Sequence, residues 1–222
     1  MPGRYSPYID RENEIYRSMK LSIPQSAGVS NVALDRGLDW VSKGAHRLLD
    51  FGCGNGSMLF SGALRGVPDL IGIDLSSEGI ALARKRAAQM PCGAYHFIHG
   101  GVEVLFDVKE KSVDAVILSN ILDNLFIDDA NTLLAETARI LCPNGRLLVK
   151  LNPLLSPQQI ENGGIRVLED DLLDDGLLLW NRTTEAWRMS FSEFFEEVEC
   201  IDVYFPEHEQ HNRMFLLKRS SL

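Results

Sequence analysis

Three glycines and two carboxylates are the residues of this chain whose types and spacing could do chemistry together. Gly52, Gly54 and Gly56 lie in Leu48-Leu49-Asp50-Phe51-Gly52-Cys53-Gly54-Asn55-Gly56, which begins as a short apolar run. Glycine lets a backbone turn tightly and approach a ligand that any Cβ would obstruct. Asp50 stands at the head of the loop. Asp74 follows 18 residues after Gly56, at the end of Ile71-Gly72-Ile73-Asp74. A carboxylate in that place can accept both hydroxyls of a ribose. A dinucleotide loop counted from Gly52 would want its third glycine at position 57, which is Ser57. Glycines at 52, 54 and 56 suit a loop that wraps a ligand lacking pyrophosphate. The G-x-x-x-x-G-K-S/T run of a phosphate-binding P-loop is absent.

Such a loop works only between a strand and a helix, and the flanking pattern supplies both. Arg47–Phe51 reads as a buried parallel strand. The spacing then predicts a helix over Ser57–Arg65, a strand over Leu70–Asp74 and a helix over Ser76–Gln89 with Ser76 as its cap. Strands follow at Tyr95–His99 and Val113–Ser119, a helix at Asp129–Leu141 and a fifth strand at Arg146–Leu151. This alternation calls for a parallel sheet with helices on both faces. Ahead of it lie a helix over Asp10–Lys20, capped by Asp10 and carrying Ile15, Tyr16 and Met19 at helical spacing, and a second over Asn31–Ser42. After Pro153 the regularity lapses. Residues 154–182 read as an insertion of a short helix plus a strand. A helix over Thr184–Phe195 and antiparallel strands at Val198–Phe205 and Met214–Lys218 finish the chain. No linker divides it.

The 222 residues include 22 Lys and Arg against 31 Asp and Glu, a net charge of −9. The excess is local. Residues 160–210 hold 14 acidic and three basic side chains, or −11, and the remainder, with 19 basic and 17 acidic, is +2. No lysine lies between Lys150 and Lys218. Nucleic-acid binding needs clustered cations, so that class of partner is not expected. The start is charged and has no apolar core, unlike a signal peptide, and no run of 18 apolar residues could span a membrane. Cys53, Cys92, Cys142 and Cys200 are isolated, which fits reduced thiols in a cytoplasmic protein.

LLDFGCGNG followed by IGIDLS resembles a class I S-adenosylmethionine-dependent methyltransferase of the small-molecule type. GGVEVLFDVKEKSVDAVILSNILDNL and ARILCPNGRLLVK match the family's later motifs in order and spacing, so the resemblance covers about Arg47–Leu151. It implies an α/β, Rossmann-like doubly wound sheet of seven strands in the order 3-2-1-4-5-7-6. The sheet would be mostly parallel, with an antiparallel C-terminal strand and helices on both faces. It also implies one domain over 1–222: an N-terminal helical lid (1–43) with Tyr5 and Tyr8, a cofactor core (44–151), then the acidic insertion and C-terminal strands (152–222). The implied reaction is methyl transfer from S-adenosylmethionine to a small molecule, leaving S-adenosylhomocysteine, in a monomer or homodimer.

Residue by residue, the resemblance places Asp50, Gly52, Cys53 and Gly54 against the methionine part of the cofactor. Asp74 takes the ribose hydroxyls, Leu75 one face of adenine and Val102 the other face or edge. Backbone groups at 101–103 read adenine. Many relatives carry an acid near position 101, where this chain has Gly101, so the polar partner of adenine is open. Ser119, Asn120 and Ile121 close the fourth strand, with Asn120 facing the methionine end and the transferred methyl. Relatives often carry a histidine near 123. Asp123 there could orient or deprotonate a substrate, or cap the following turn. The acidic 160–210 segment suggests a neutral or cationic acceptor. Two other readings stay open: a protein methyltransferase acting on a basic peptide, and a noncatalytic cofactor-binding module.

The remaining candidates have plainer readings. Asn152-Pro153 follows the fifth strand rather than the fourth, so it is a strand-ending turn and not an amino-methyltransferase signature. His46 reads as surface, His96 and His99 as structural, and His208 and His211 as turn residues; no full metal-ligand set is expected. Trp180 and Trp187 either line an acceptor pocket or pack a C-terminal helix on the sheet. Arg84-Lys85-Arg86 reads as the solvated end of a helix.

Overall fold

The strand–helix alternation builds a seven-stranded sheet in the computed structural model, which describes residues 2–220. Strands β1 (Arg47–Phe51), β2 (Asp69–Asp74), β3 (Ala94–His99), β4 (Val113–Ser119) and β5 (Leu141–Leu151) pair in parallel. Three short strands, β6 (Arg166–Glu169), β7 (Leu172–Asp174) and β8 (Leu178–Trp180), form a separate antiparallel sheet. The last two, β9 (Phe195–Phe205) and β10 (Gln210–Arg219), close the large sheet: β10 pairs antiparallel to β5, and β9 pairs antiparallel to β10 at the edge. The large sheet runs β3-β2-β1-β4-β5-β10-β9, the expected order once the small sheet is set aside. Strand order reverses between β1 and β4, so a crevice opens beyond their carboxyl ends.

Alternation along β4 shows how the two faces are built. Val116 and Leu118 belong to one apolar cluster, Ala115 and Ile117 to the other, and all four are fully buried. Both faces are therefore covered, as a parallel sheet requires. Helices α2 (Val32–Ser42), α3 (Ser57–Leu64) and α4 (Ser77–Ala87) cover one face through Leu38, Phe60 and Ile80. Helices α5 (Ile127–Ile140) and α7 (Thr184–Ser192) cover the other through Leu133 and Phe191. Ser76 caps α4 as expected, accepting from the amide of Gly79, and Asn31 caps α2, accepting from the amides of Ala33 and Leu34.

Several boundaries differ for physical reasons. The first helix, α1, covers Ser6–Ser18, so Asp10 lies inside it rather than at its cap. Pro7 explains the earlier start, because proline's fixed φ and missing N–H cost nothing in a first turn. Ile15 and Met19 face solvent. Strand β5 begins at Leu141, which pairs with Val113 before residues 142–145 loop out and pairing resumes at Arg146. Helix α7 stops at Ser192, because Phe195 already pairs with Arg219. The insertion holds α6 (Pro157–Gly163) and three strands where one was expected. Strands of three residues are too short to display a period, and leucines among acids resemble a helix as much as a strand. Arg86 is not solvated. It is buried, and its guanidinium donates to the carbonyls of Ser22 and Asn55, tying down the loop after β1. Among the described residues no helix is long and apolar enough to cross a membrane, and no group of side chains could hold a metal ion.

Candidate active site

The glycine loop has the backbone its sequence demands. Gly52 and Gly54 have φ of +76° and +49°, a region that costs any Cβ. A Cβ on Gly52 would lie 2.8 Å from Cγ1 of Ile121, and one on Gly54 would collide with the Tyr16 hydroxyl. The amides of Gly52 and Cys53 donate to the Ile73 carbonyl, at 2.8 and 3.1 Å. The Gly54 amide donates to Oδ2 of Asp74 at 2.7 Å, and the Ser76 amide to Oδ1 at 2.7 Å. One carboxylate thus fixes both the loop and the start of α4. Burial raises the pKa of Asp74, and those two amide donors work against the rise.

Beyond the ends of β1, β2 and β4 lies a cavity of about 260 Å³, with an adjoining lobe of about 120 Å³. Its sheet side includes Gly52, Asp74, Leu75, Ser119, Asn120 and Ile121, all six expected from the sequence, together with Phe51, Ser76 and Gly100, which were not. Gly101 and Val102 line the adjoining lobe, also as expected. Glu103 lines it too, and its Oε1 accepts from the Gly101 amide at 2.9 Å. Among the described residues no lysine, arginine or histidine lines either lobe, whereas Glu12 and Asp74 line the larger one.

Four expected site residues do not reach these walls. Asp50 is buried at 2% exposure with its Oδ1 unpartnered; burial, then the charge of Asp74, pushes its carboxyl well above the usual range. The Cys53 side chain packs into the core between Gly72 and its neighbours, and burial pushes its thiol up. Gly54 lies beneath Tyr16. Asp123 is fully buried, and its Oδ2 accepts from the Asn152 amide at 2.7 Å. Burial pushes its carboxyl up to about 6. Its geometry ties the segment after β4 to the end of β5.

Helix α1 forms the opposite wall. Tyr8, Ile9, Glu12 and Tyr16, with Tyr5 just before the helix, all line the cavity. Their spacing of three and four marks one helical face, a signal present in the sequence but overshadowed by Ile15 and Met19. Burial and the nearby Asp74 raise the Glu12 pKa, and burial raises the Tyr16 phenol. The helix is held at both ends. Oδ1 of Asn13 accepts from the Ser76 hydroxyl at 2.7 Å and the Glu78 amide at 3.2 Å. At the other end the Tyr5 hydroxyl donates to Asp129 at 2.6 Å and accepts from the Phe126 amide at 3.0 Å.

The insertion contributes Leu177 to the cavity. Its charges lie elsewhere: Glu169, Asp170, Asp171 and Asp175 are exposed, and Asp174 pairs with Arg166. It docks through Trp180, whose Nε1 donates to the Leu125 carbonyl at 2.7 Å. Trp187 is buried and stacks on Phe191, so neither tryptophan lines the cavity. His96 and His99 are exposed on β3, and His211 pairs with Asp202 at the surface.

A sheet with this order and a glycine loop at its switch point defines a Rossmann-like cofactor-binding domain. Residues 49–149 match the family described as Methyltransferase domain. Three solved structures show how widely the fold is shared. The 1,6-didemethyltoxoflavin-N1-methyltransferase of Burkholderia thailandensis, with 1,6-didemethyltoxoflavin and S-adenosylhomocysteine bound, is 17% identical with a TM-score of 0.70; the match covers 100% of this chain and 91% of that one. The N-methyltransferase NodS of Bradyrhizobium japonicum WM9, in complex with S-adenosylhomocysteine, is 14% identical with a TM-score of 0.66, covering 96% and 99%. The (4+2)-cyclase SpnF is 17% identical with a TM-score of 0.68, covering 98% and 94%. No curated protein sequence matches the chain.

Proposed function

We propose that this protein transfers a methyl group from S-adenosylmethionine to a small neutral or cationic acceptor, releasing S-adenosylhomocysteine. The observation that carries the reading is the two-lobed cavity at the switch point, walled by carboxylates and by no cationic side chain. Such a wall suits a ligand bearing a sulfonium and an ammonium, and it offers no ion pair to a phosphorylated or carboxylated acceptor. The acidic segment is not the reason, since only Leu177 of it reaches the cavity.

When bound, the cofactor supplies a methyl group already activated by its sulfonium. The residues of the chain bind and orient. Asp74 accepts from ribose hydroxyls while holding the glycine loop. Leu75 and Val102 flank adenine in the smaller lobe. Glu103 takes the part that Gly101 cannot, accepting from the adenine amino group. Asn120 and Ile121 stand at the methionine end.

The acceptor side is formed by Tyr8, Ile9, Leu125 and Leu177. Asn124 is engaged there, donating to the Leu178 carbonyl and accepting from Asn152. No histidine is at hand, and Asp123 stands behind the wall as a positioning residue. Glu12 is the titratable carboxyl on the opposite wall, and catalysis rests mainly on proximity and orientation, an effect worth roughly 7–11 kcal/mol. With α1 pinned across the cavity, a small molecule is favoured over a basic peptide.

Calorimetric titration of the protein with S-adenosylmethionine and S-adenosylhomocysteine tests the cofactor assignment, and the absence of saturable heat refutes it. Mass spectrometry of a cell extract incubated with protein and methyl-labelled cofactor tests turnover. Saturable binding without a labelled product would assign a noncatalytic module or a different reaction on this fold.

A further inference from the structure

Asn120 is one of the few non-glycine residues with a left-handed backbone, at φ +52°. It follows β4 directly and lines the cavity at its methionine end. Asparagine tolerates this region better than most residues but still at a cost. The turn therefore needs something to hold it, and Lys150 of β5 does so twice. The Asn120 amide donates to the Lys150 carbonyl at 2.7 Å, and Nζ of Lys150 donates to Oδ1 of Asn120. Asn212 supports the arrangement, with Nδ2 at 3.5 Å from the same oxygen and 2.9 Å from the Leu151 carbonyl.

A lysine in this place is unusual. Lys150 is 5% exposed in the middle of the sheet, beside Ser119 on β4 and Met214 on β10. Its ammonium lies 5.7 Å from the centre of the Phe205 ring. Burial lowers its pKa to about 8, and the one charge opposing that fall is Asp123. A hydrophobic residue would pack there without that penalty, so packing does not account for an amine. The bond to Asn120 does.

We propose that Lys150 is the positioning residue for Asn120, holding it in the left-handed turn that presents it to the cofactor. The inference rests on the functional reading above and names a residue that the sequence motifs passed over. It places a buried amine one layer behind the reacting centre, acting through Asn120.

A double-mutant cycle of Lys150→Met and Asn120→Gly tests it, because glycine adopts the turn without support. The probe is S-adenosylhomocysteine in calorimetry, with hydrogen exchange of residues 113–125 and melting temperature measured alongside. Lys150→Met is expected to weaken binding at least tenfold and to speed exchange at 119–121. In the Asn120→Gly background the same change should alter binding by less than threefold. Equal losses in both backgrounds, or lowered melting temperature with unchanged affinity, would overturn the proposal. If Lys150→Met fails to fold, the double variant decides: it must fold and bind as Asn120→Gly does. If the wild type binds no S-adenosylhomocysteine, the functional reading fails, and exchange alone judges whether Lys150 holds the turn.

Discussion

Asp74→Asn separates the two tasks assigned to this carboxylate. In the wild type each oxygen receives one backbone amide at 2.7 Å, Oδ2 from Gly54 and Oδ1 from Ser76. Asparagine has one oxygen, so its NH2 must face one of the two N–H groups. A hydrogen bond to a charged acceptor is worth about 1.5–3 kcal/mol. At about 1.4 kcal/mol per decade, losing one lowers the equilibrium constant for loop ordering roughly ten- to a hundredfold, and the ordered population with it where the freed loop is mostly disordered. Apparent cofactor affinity falls by the same factor if only the ordered loop binds. The substitution also removes a negative charge felt by Asp50 and Glu12. Relief of that repulsion offsets part of the lost bond, so melting temperature should fall far less than affinity. Calorimetry with S-adenosylhomocysteine and thermal melts at one pH measure both. Affinity within threefold of wild type would refute the reasoning. A melting temperature that collapses along with affinity would show that Asp74 holds the fold rather than the ligand.

Three further changes address other parts of the site. The Asp123 carboxyl is raised from 3.8 to about 6 by burial, so its protonated form favours the folded state. Wild-type stability should fall as pH rises between those values, by up to about 3 kcal/mol at 1.36 kcal/mol per pH unit. Asp123→Asn has no such charge, and urea melts should show the two curves diverging from pH 4 to 6 and running parallel above. Glu103→Ala should weaken S-adenosylhomocysteine binding about tenfold, the value of one hydrogen bond to a charged group. It should also abolish any preference for the adenosyl over the inosyl analogue; a preference retained would place adenine elsewhere. Asn13→Ala removes the acceptor shared by the Ser76 hydroxyl and the Glu78 amide. Faster hydrogen exchange across residues 6–18 and faster ligand release are expected, and unchanged release kinetics would mean that α1 does not gate the cavity.

Much of the architecture was legible because it follows from local pattern. The apolar runs of β1 and β4 could only be buried strands, since each is covered on both faces. The loop glycines had to adopt positive φ, and Asp74 had to end β2 beside them. Six of the eleven residues expected at the cofactor meet in one cavity and two more in the lobe beside it. These contacts depend on strand order, which the family resemblance implied and the alternation of strands and helices did not by itself fix.

What the sequence by itself determined, then, is the sheet, the switch point and the backbone of the loop. Only the tertiary structure decided which side chains face the ligand. Tyr8, Glu12 and Tyr16 turn inward, and Ile15 and Met19 outward, because α1 is fastened at both ends by polar bonds to α4 and α5. Asp123 and Lys150 lie behind the wall, because the register of β5 beside β4 brings Lys150 level with Ser119. The acidic segment, the most visible feature of the composition, puts no carboxylate on the cavity wall, pairing some of its acids with arginines and exposing others, and gives the cavity one leucine. Period and spacing are properties of a single element. Which way a side chain points into a shared space depends on how two distant elements meet, and no local pattern carries that.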